Sequence, residues 1–464
     1  MRRTDRLSLS SLALSLALAP LSAHAVRLWE EPRADWAPPA GTLAPGQLTL
    51  GDRLTGSLAS PDLRPAEFST PLAAGGHAGQ SRYPEGVAER WLDIGFYAQP
   101  QFIYQTGYDN ESVSNFSVAP GVNLRRTRMV VHGQAHPLLQ VRMEFGLSDR
   151  LELFDTYALV PVRRWLQVQI GQFRVPFSRQ ELVSGTRLQF VDNALWSGGA
   201  NASGVRYVPA FDTGVMVWGW AGPRDLVEYY AGVFNGKGPN NPFNLDGFFL
   251  YAGRVVLNPL GRPRAFQEGS VGLPRTPTVS IGLNAAGQIR QVGLVTLRGA
   301  TSPVPNRIQA ISLGADLYAS AWGASLYAEV YARDTQETDT NAAPNSQSLG
   351  WLVQAGYFVP APYVRDHLEV VARVQRFDPS NCFTRTEGSD CGVRPPPSAS
   401  RIVYRDFMDT MDISFGLNWY QLGHGFKAQA SYTIQNEYRD LAGRGPGSGV
   451  VVNDLFNLQL TGSF

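Results

Sequence analysis

Residues 453–464 read NDLFNLQLTGSF. Phe456, Leu458, Leu460 and Phe464 alternate with Asn457, Gln459, Thr461 and Ser463, and Gly462 takes the one apolar-side position that lacks bulk. Period-two alternation gives a strand one apolar face and one polar face. A soluble sandwich buries the apolar side against a second sheet. A membrane barrel turns it to lipid and leaves the polar side to a watery lumen. The residues upstream decide between the two.

From Trp91 onward the alternation rarely stops. In residues 139–147, Leu139, Val141, Met143, Phe145 and Leu147 alternate with Gln140, Arg142, Glu144 and Gly146. Leu166, Val168 and Ile170 oppose Gln167, Gln169 and Gly171, and the segment FKAQASYTIQ sets Lys427, Gln429, Ser431 and Thr433 on one side. Counting such segments gives about 16 strands, within the range of bacterial barrels. With the first strand running upward, the connections QAHPL, PVRRW, AGPRD, SAWG and QLGHG are short. The alternate ones are mostly long: 107–123, 174–212, 235–248, 284–307, 334–348, 378–410 and 436–452. Tight turns on one rim and long loops on the other are the pattern of an outer-membrane barrel. Two connections break it, since LSDR is short on the long side and the Pro-rich 258–277 is long on the short side. The expected fold is therefore an all-β transmembrane antiparallel barrel of outer-membrane type over residues 91–464, its last strand pairing with its first so that no edge is left open.

Residues 1–25 read as a secretory signal: Arg2, Arg3 and Arg6, then an apolar core, then a small-x-small cleavage site at Ala23-His24-Ala25. Residues 26–90 are rich in Pro, Ala and Gly without sustained periodicity and read as a periplasmic extension, either a spacer or a plug. No run of about 18 apolar residues follows, so helices do not cross a membrane. Net charge is +1 from 40 basic and 39 acidic residues, which gives nucleic acid no bulk attraction. Cys382 and Cys391, in a Gly-, Pro- and Ser-rich stretch of an exported chain, read as a disulfide closing one exposed loop. Two cysteines with no histidine nearby do not make a zinc site, and no metal or other cofactor is expected.

The histidines give no catalytic pattern: only His132 falls within an expected strand, and no G-x-S-x-G element accompanies it. The basic residues make a better constellation, and nearly all are arginine, Lys237 and Lys427 being the only lysines. Arg126 and Arg128 share a face of NLRRTRMVVHG, with Arg125 on the other face or near a rim. Arg142, Arg254 and Arg373 each fall on the polar side of their own strands. Guanidinium groups on the wall of a watery pore lower the barrier for anions when unpaired. Glu144, Asp155, Glu329 and Glu369 sit on comparable faces and could neutralise them. The segment GQFRVPFSRQELVSGTRLQF opens the third long loop and carries Arg174, Arg179 and Arg187, so it either folds into the pore and narrows it or lies on the surface with solvated charges.

The segments VQIGQFRVPFSRQELVSGTRLQFVD, GVFNGKGPN and YAGRVVLNPLG, with GWLVQAGYFVP, LEVVARVQRFDP and FGLNWY, resemble the phosphate-selective porin O/P family over about residues 91–464, in order. The resemblance implies a trimeric outer-membrane barrel with infolded loops and arginines leading to an anion site. By motif, Arg125 and Arg126 look like that family's paired arginines, Asp155 in FDTYAL like its acidic residue, and Arg179 and Arg187 like residues near the constriction. The chain departs from phosphate-specific members in having almost no lysine, which leaves the identity of the anion open. The expected function is a passive outer-membrane channel for anions such as phosphate or polyphosphate, surrounded by outer-membrane lipid. The alternatives are a general diffusion pore, a barrel-embedded hydrolase, and a structural barrel with an occluded lumen.

Overall fold

The computed structural model of the chain describes residues 91–105, 121–136, 138–148, 151–197, 208–241, 243–263, 266–295, 304–337, 346–378, 410–437 and 454–463. The expected signal and extension (1–90), the pair Cys382 and Cys391, and Phe464 lie outside the described residues.

Sixteen antiparallel strands close into one barrel, each pairing with its neighbours in chain order. They are β1 (Trp91–Gln105), β2 (Gly121–His136), β3 (Leu139–Gly146), β4 (Glu152–Arg163), β5 (Leu166–Arg174), β6 (Phe211–Ala221), β7 (Val227–Phe234) and β8 (Leu250–Leu257). The second half comprises β9 (Thr278–Val295), β10 (Val304–Ala321), β11 (Ala324–Glu337), β12 (Ser346–Phe358), β13 (Leu368–Asp378), β14 (Thr410–Tyr420), β15 (Phe426–Glu437) and β16 (Leu455–Ser463). β16 also pairs with β1, with Gln459 opposite Gln101 and Leu458 opposite Phe102.

Burial follows the alternation, with the usual sense reversed. In β16, Leu458 and Leu460 are 42% and 46% exposed, whereas Gln459 and Thr461 are 1% and 0% exposed. In β14, Phe415, Leu417 and Trp419 point out while Ser414 and Asn418 are buried. Apolar outside and polar inside inverts a soluble domain and gives the outer wall its lipid-facing band.

The expected rims hold, with one correction. Most of the expected loop 284–307 is strand, because β9 and β10 continue their pairing up to Val295 and Val304. Each has 18 residues, and a spanning strand needs only about 10. The surplus length extends the ladder beyond what a crossing requires.

Two connections enter the barrel. The β5–β6 loop (175–210) folds inward after β5. Its Val175, Phe177, Trp196 and Val208 pack with Met216, Trp218, Phe234, Leu250, Tyr327 and Tyr331 of the wall in an apolar core. The side of the lumen lined by β6–β8 and β11 is therefore filled. The β8–β9 connection (258–277) enters from the other rim: its ends are exposed at Leu260 and Arg275, and residues 267–270 are buried.

Candidate functional site

Two β-bulges place the charged residues of the lumen. Between β1 and β2 the register slips at Gln99/Pro100, so that Arg126 faces Gln99 and Leu124 faces Pro100, leaving Arg125 as the extra residue. A bulge breaks the alternation and re-aims a side chain. Arg125, expected on the other face or near a rim, instead reaches the lumen and pairs with Asp192 of the β5–β6 loop at 2.5 Å. A second slip at Met143/Phe145 sets Glu144 against both Phe154 and Asp155 of β4. Phe154 faces inward there, carrying the Arg128 guanidinium 3.6 Å above its ring, and Asp155 is buried beside it.

The arginines of this wall divide by partner. Arg128 and Arg142 share Glu144, at 2.5 and 2.7 Å. Arg254 is clamped by both oxygens of Asp316, at 2.5 and 2.8 Å, and also donates to the Phe177 carbonyl at 3.0 Å. Of the acids read from sequence as candidate neutralisers, Glu144 performs that role. Asp316 does so for Arg254 and was missed, although its place on the polar face of DLYASA was visible. Asp155 makes no hydrogen bond among the described residues and lies within electrostatic reach of Arg174, Arg142 and Arg128. Arg126 and Arg373 meet only neutral acceptors among the described residues: Arg126 the Gln99 side chain at 3.1 Å, Arg373 the Asp192 carbonyl at 2.8 Å.

The β5–β6 loop crosses the lumen and is pinned on several sides. After β5 ends at Arg174, a single helical turn, α1 (Arg179–Leu182), starts at the Ser178 cap, whose hydroxyl accepts from the Glu181 N–H. Arg174 donates to the carbonyls of Glu181 and Val183 at 2.5 and 2.7 Å, so it closes the loop rather than facing solute. Arg179 lies over the rings of Phe266 and Tyr318 and donates to the Gln267 carbonyl. Farther along, Gln99 donates to the Gly185 carbonyl, and the Arg126 guanidinium passes so close that a Cβ at Gly185 would come within 3.0 Å of its Nε. Arg187 is buried in the same stretch. Lys427 of β15 donates to the Leu188 carbonyl at 2.7 Å and lies within electrostatic reach of Glu369 and Glu268, and then of Arg126. One of the two lysines thus stands in the lumen at the loop, on the polar face where its alternation put it. His424, in the adjoining β14–β15 turn, adds no charge: burial, then the neighbouring Lys427 and Arg187, hold its pKa well below the ordinary histidine value.

The structure brings Arg125, Arg126, Arg128, Arg142, Asp155 and Arg174 into one electrostatic neighbourhood on β2–β5. Arg373 contacts the same loop from β13 and Arg187 lies within the loop itself, whereas Arg254 pairs with Asp316 and donates to the loop's Phe177 carbonyl. No residues able to hold a metal are grouped among the described residues.

A loop-deleted form of the outer-membrane protein OmpT of Vibrio cholerae superposes on the chain with a TM-score of 0.50 at 12% identity, covering 81% of this chain and 100% of that one. An anion-selective porin from Comamonas acidovorans superposes with a TM-score of 0.48 at 12% identity, again over 81% and 100%. At 12% identity the likeness to the first is one of fold alone. A comparison with curated protein sequences finds no relative. The family described as phosphate-selective porin O and P matches residues 101–443, across the bulged wall, the infolded loop and β15. The barrel is an outer-membrane channel, and the chain belongs to the phosphate-selective porin O and P family.

Proposed function

We propose that the channel passes anions and prefers them over cations, with Arg126 and Lys427 as the groups that set the preference. The observation behind this reading is their pairing: both are held beside the infolded loop by an amide or carbonyl oxygen, and no carboxylate lies within ion-pair distance among the described residues. Cations held by neutral acceptors keep their field for a passing ion, and weak multi-site binding lets that ion leave. Phosphate or polyphosphate is the solute class proposed. Arg125, Arg128, Arg142, Asp155 and Arg373 shape the potential around the pair. The family and the barrel point to a channel rather than an enzyme. Residues 1–25 as an export signal, 26–90 as a periplasmic extension, a Cys382–Cys391 disulfide and a homotrimer complete the proposal.

The test is the reversal potential of the purified protein in a planar bilayer under a salt gradient, with phosphate then added to the chloride bath. An anion-selective current blocked by phosphate is expected, and the Arg126→Ala and Lys427→Ala variants should each lose part of the selectivity. Unchanged selectivity in both variants overturns the assignment. The second reading, a general diffusion pore, is favoured by the neutralisation of Arg128, Arg142 and Arg254 by Glu144 and Asp316. It predicts a current with little charge preference.

A further inference from the structure

The β8–β9 connection is the one long excursion from the short-turn rim among the described residues, and it ends on the constriction loop. The Glu268 carboxylate accepts three hydrogen bonds: Oε2 from the Gln189 backbone N–H at 2.8 Å and from Gln354 Nε2 at 3.0 Å, Oε1 from Gln180 Nε2 at 3.0 Å. Its own backbone N–H donates to the Arg187 carbonyl at 3.2 Å. On either side, the Gln267 carbonyl accepts from Arg179 and the Gly269 carbonyl from the Tyr318 hydroxyl. Farther on, Val271 comes up against the β14–β15 turn, 3.7 Å from a Cβ position at Gly423. The connection therefore spans the lumen beneath the β5–β6 loop and grips it from below, while Lys427, Asn418 and Gln429 grip it from the wall.

We propose that Glu268 is the positioning residue of the constriction, and that the β8–β9 connection is a strut keeping the infolded loop in place against the transmembrane field. The described part of the loop carries Arg179 and Arg187 against Glu181 and Asp192, with no net charge, so a voltage dropped across it acts by turning these separated charges rather than by a net pull. The donors converging on Glu268 require an acceptor-only group. An ionised carboxylate satisfies all three, whereas a glutamine would turn an NH2 toward another donor. This rests on the chain's being a channel and not on which ion it prefers.

Single-channel recording of the full-length protein tests it. Glu268→Ala should close at lower voltage and about tenfold more often, the loss expected for a charge-assisted hydrogen-bonding group, and Glu268→Gln should fall between it and the parent. A cross-link supplies the control. A Cβ on Gly269 would lie 3.4 Å from Gln189 Cγ and 3.0 Å from the Glu369 carboxylate, so Gln189→Cys with Gly269→Cys, in a background lacking Cys382 and Cys391, brings two thiols together once that carboxylate gives way. Combined with Glu268→Ala, the oxidised protein should record quietly and the reduced protein should close often. A Glu268→Ala channel as quiet as the parent at every voltage overturns the proposal, as do closures that oxidation leaves unchanged. Should Glu268→Ala yield no folded barrel, Glu268→Gln and the cysteine pair with Glu268 retained carry the test, and failure of that pair to cross-link overturns it. A parent channel that shows no anion preference strikes only at the proposed selectivity.

Discussion

Replacing Arg254 with alanine should register first in barrel stability, and less in ion selectivity than the loss of Arg126. Its guanidinium is spent on Asp316 and on the Phe177 carbonyl, so the variant strands a buried carboxylate and loosens the root of the infolded loop. The expected cost is about 3–5 kcal/mol of barrel stability, read as an earlier loss of compact electrophoretic mobility in a denaturant series. Selectivity should move more with Arg126. The residue types of the site were legible in the sequence, because lumen arginines fall on the polar parity of their strands. Their partners were not. Which of Glu144, Asp155, Glu329 or Asp316 meets a given arginine depends on the stagger between strands, and alternation within one strand says nothing about stagger.

At the scale of the element, the bulges are where a period-two reading fails. Arg125 is an inserted residue: on one side of it Leu124 points outward, and on the other Arg126 points inward. Deleting Arg125 therefore restores an unbroken alternation and should leave a folded, heat-modifiable barrel with weakened anion preference. Loss of the folded barrel would show that the bulge itself is indispensable. The β7–β8 loop makes a pH prediction. Burial opposes ionisation of Asp246, but a hydrogen-bonded ion pair with Lys237 and the N–H groups of Gln291 and Phe248 outweigh it, so its pKa lies below the ordinary carboxylate value. A lowered folded pKa stabilises the docked loop above the unfolded value of about 3.9. That contribution fades as pH falls through the lower folded value. Amide exchange in residues 235–249 should accelerate on acidification below that range, and Asp246→Asn should accelerate it already at neutral pH. Loops that turn into the lumen left only compositional traces, arginines in one and prolines in the other, because irregular backbone held by carbonyls and glutamines follows no repeat.

At the scale of the molecule, the barrel was legible for the reason its interior was not. A wall between lipid and water must alternate at every step, whereas a lumen filled by two loops obeys only local packing. The strand count and the β1–β16 closure follow from the first condition. The halved lumen, with aromatic packing along β6–β8 and charged groups along β2–β5, follows from the second. The closure has a further consequence. The two strands of the seam are the first and last of the sheet, so the ring is completed by the contact of longest sequence separation, and the search for it carries the largest loop-closure entropy of any pairing in the chain. Until that contact forms, the growing sheet shows two raw edges, and neither lipid nor a neighbouring molecule can satisfy their hydrogen bonds without diverting the chain. The pairing of β1 with β16 is thus the one contact that removes both edges at once.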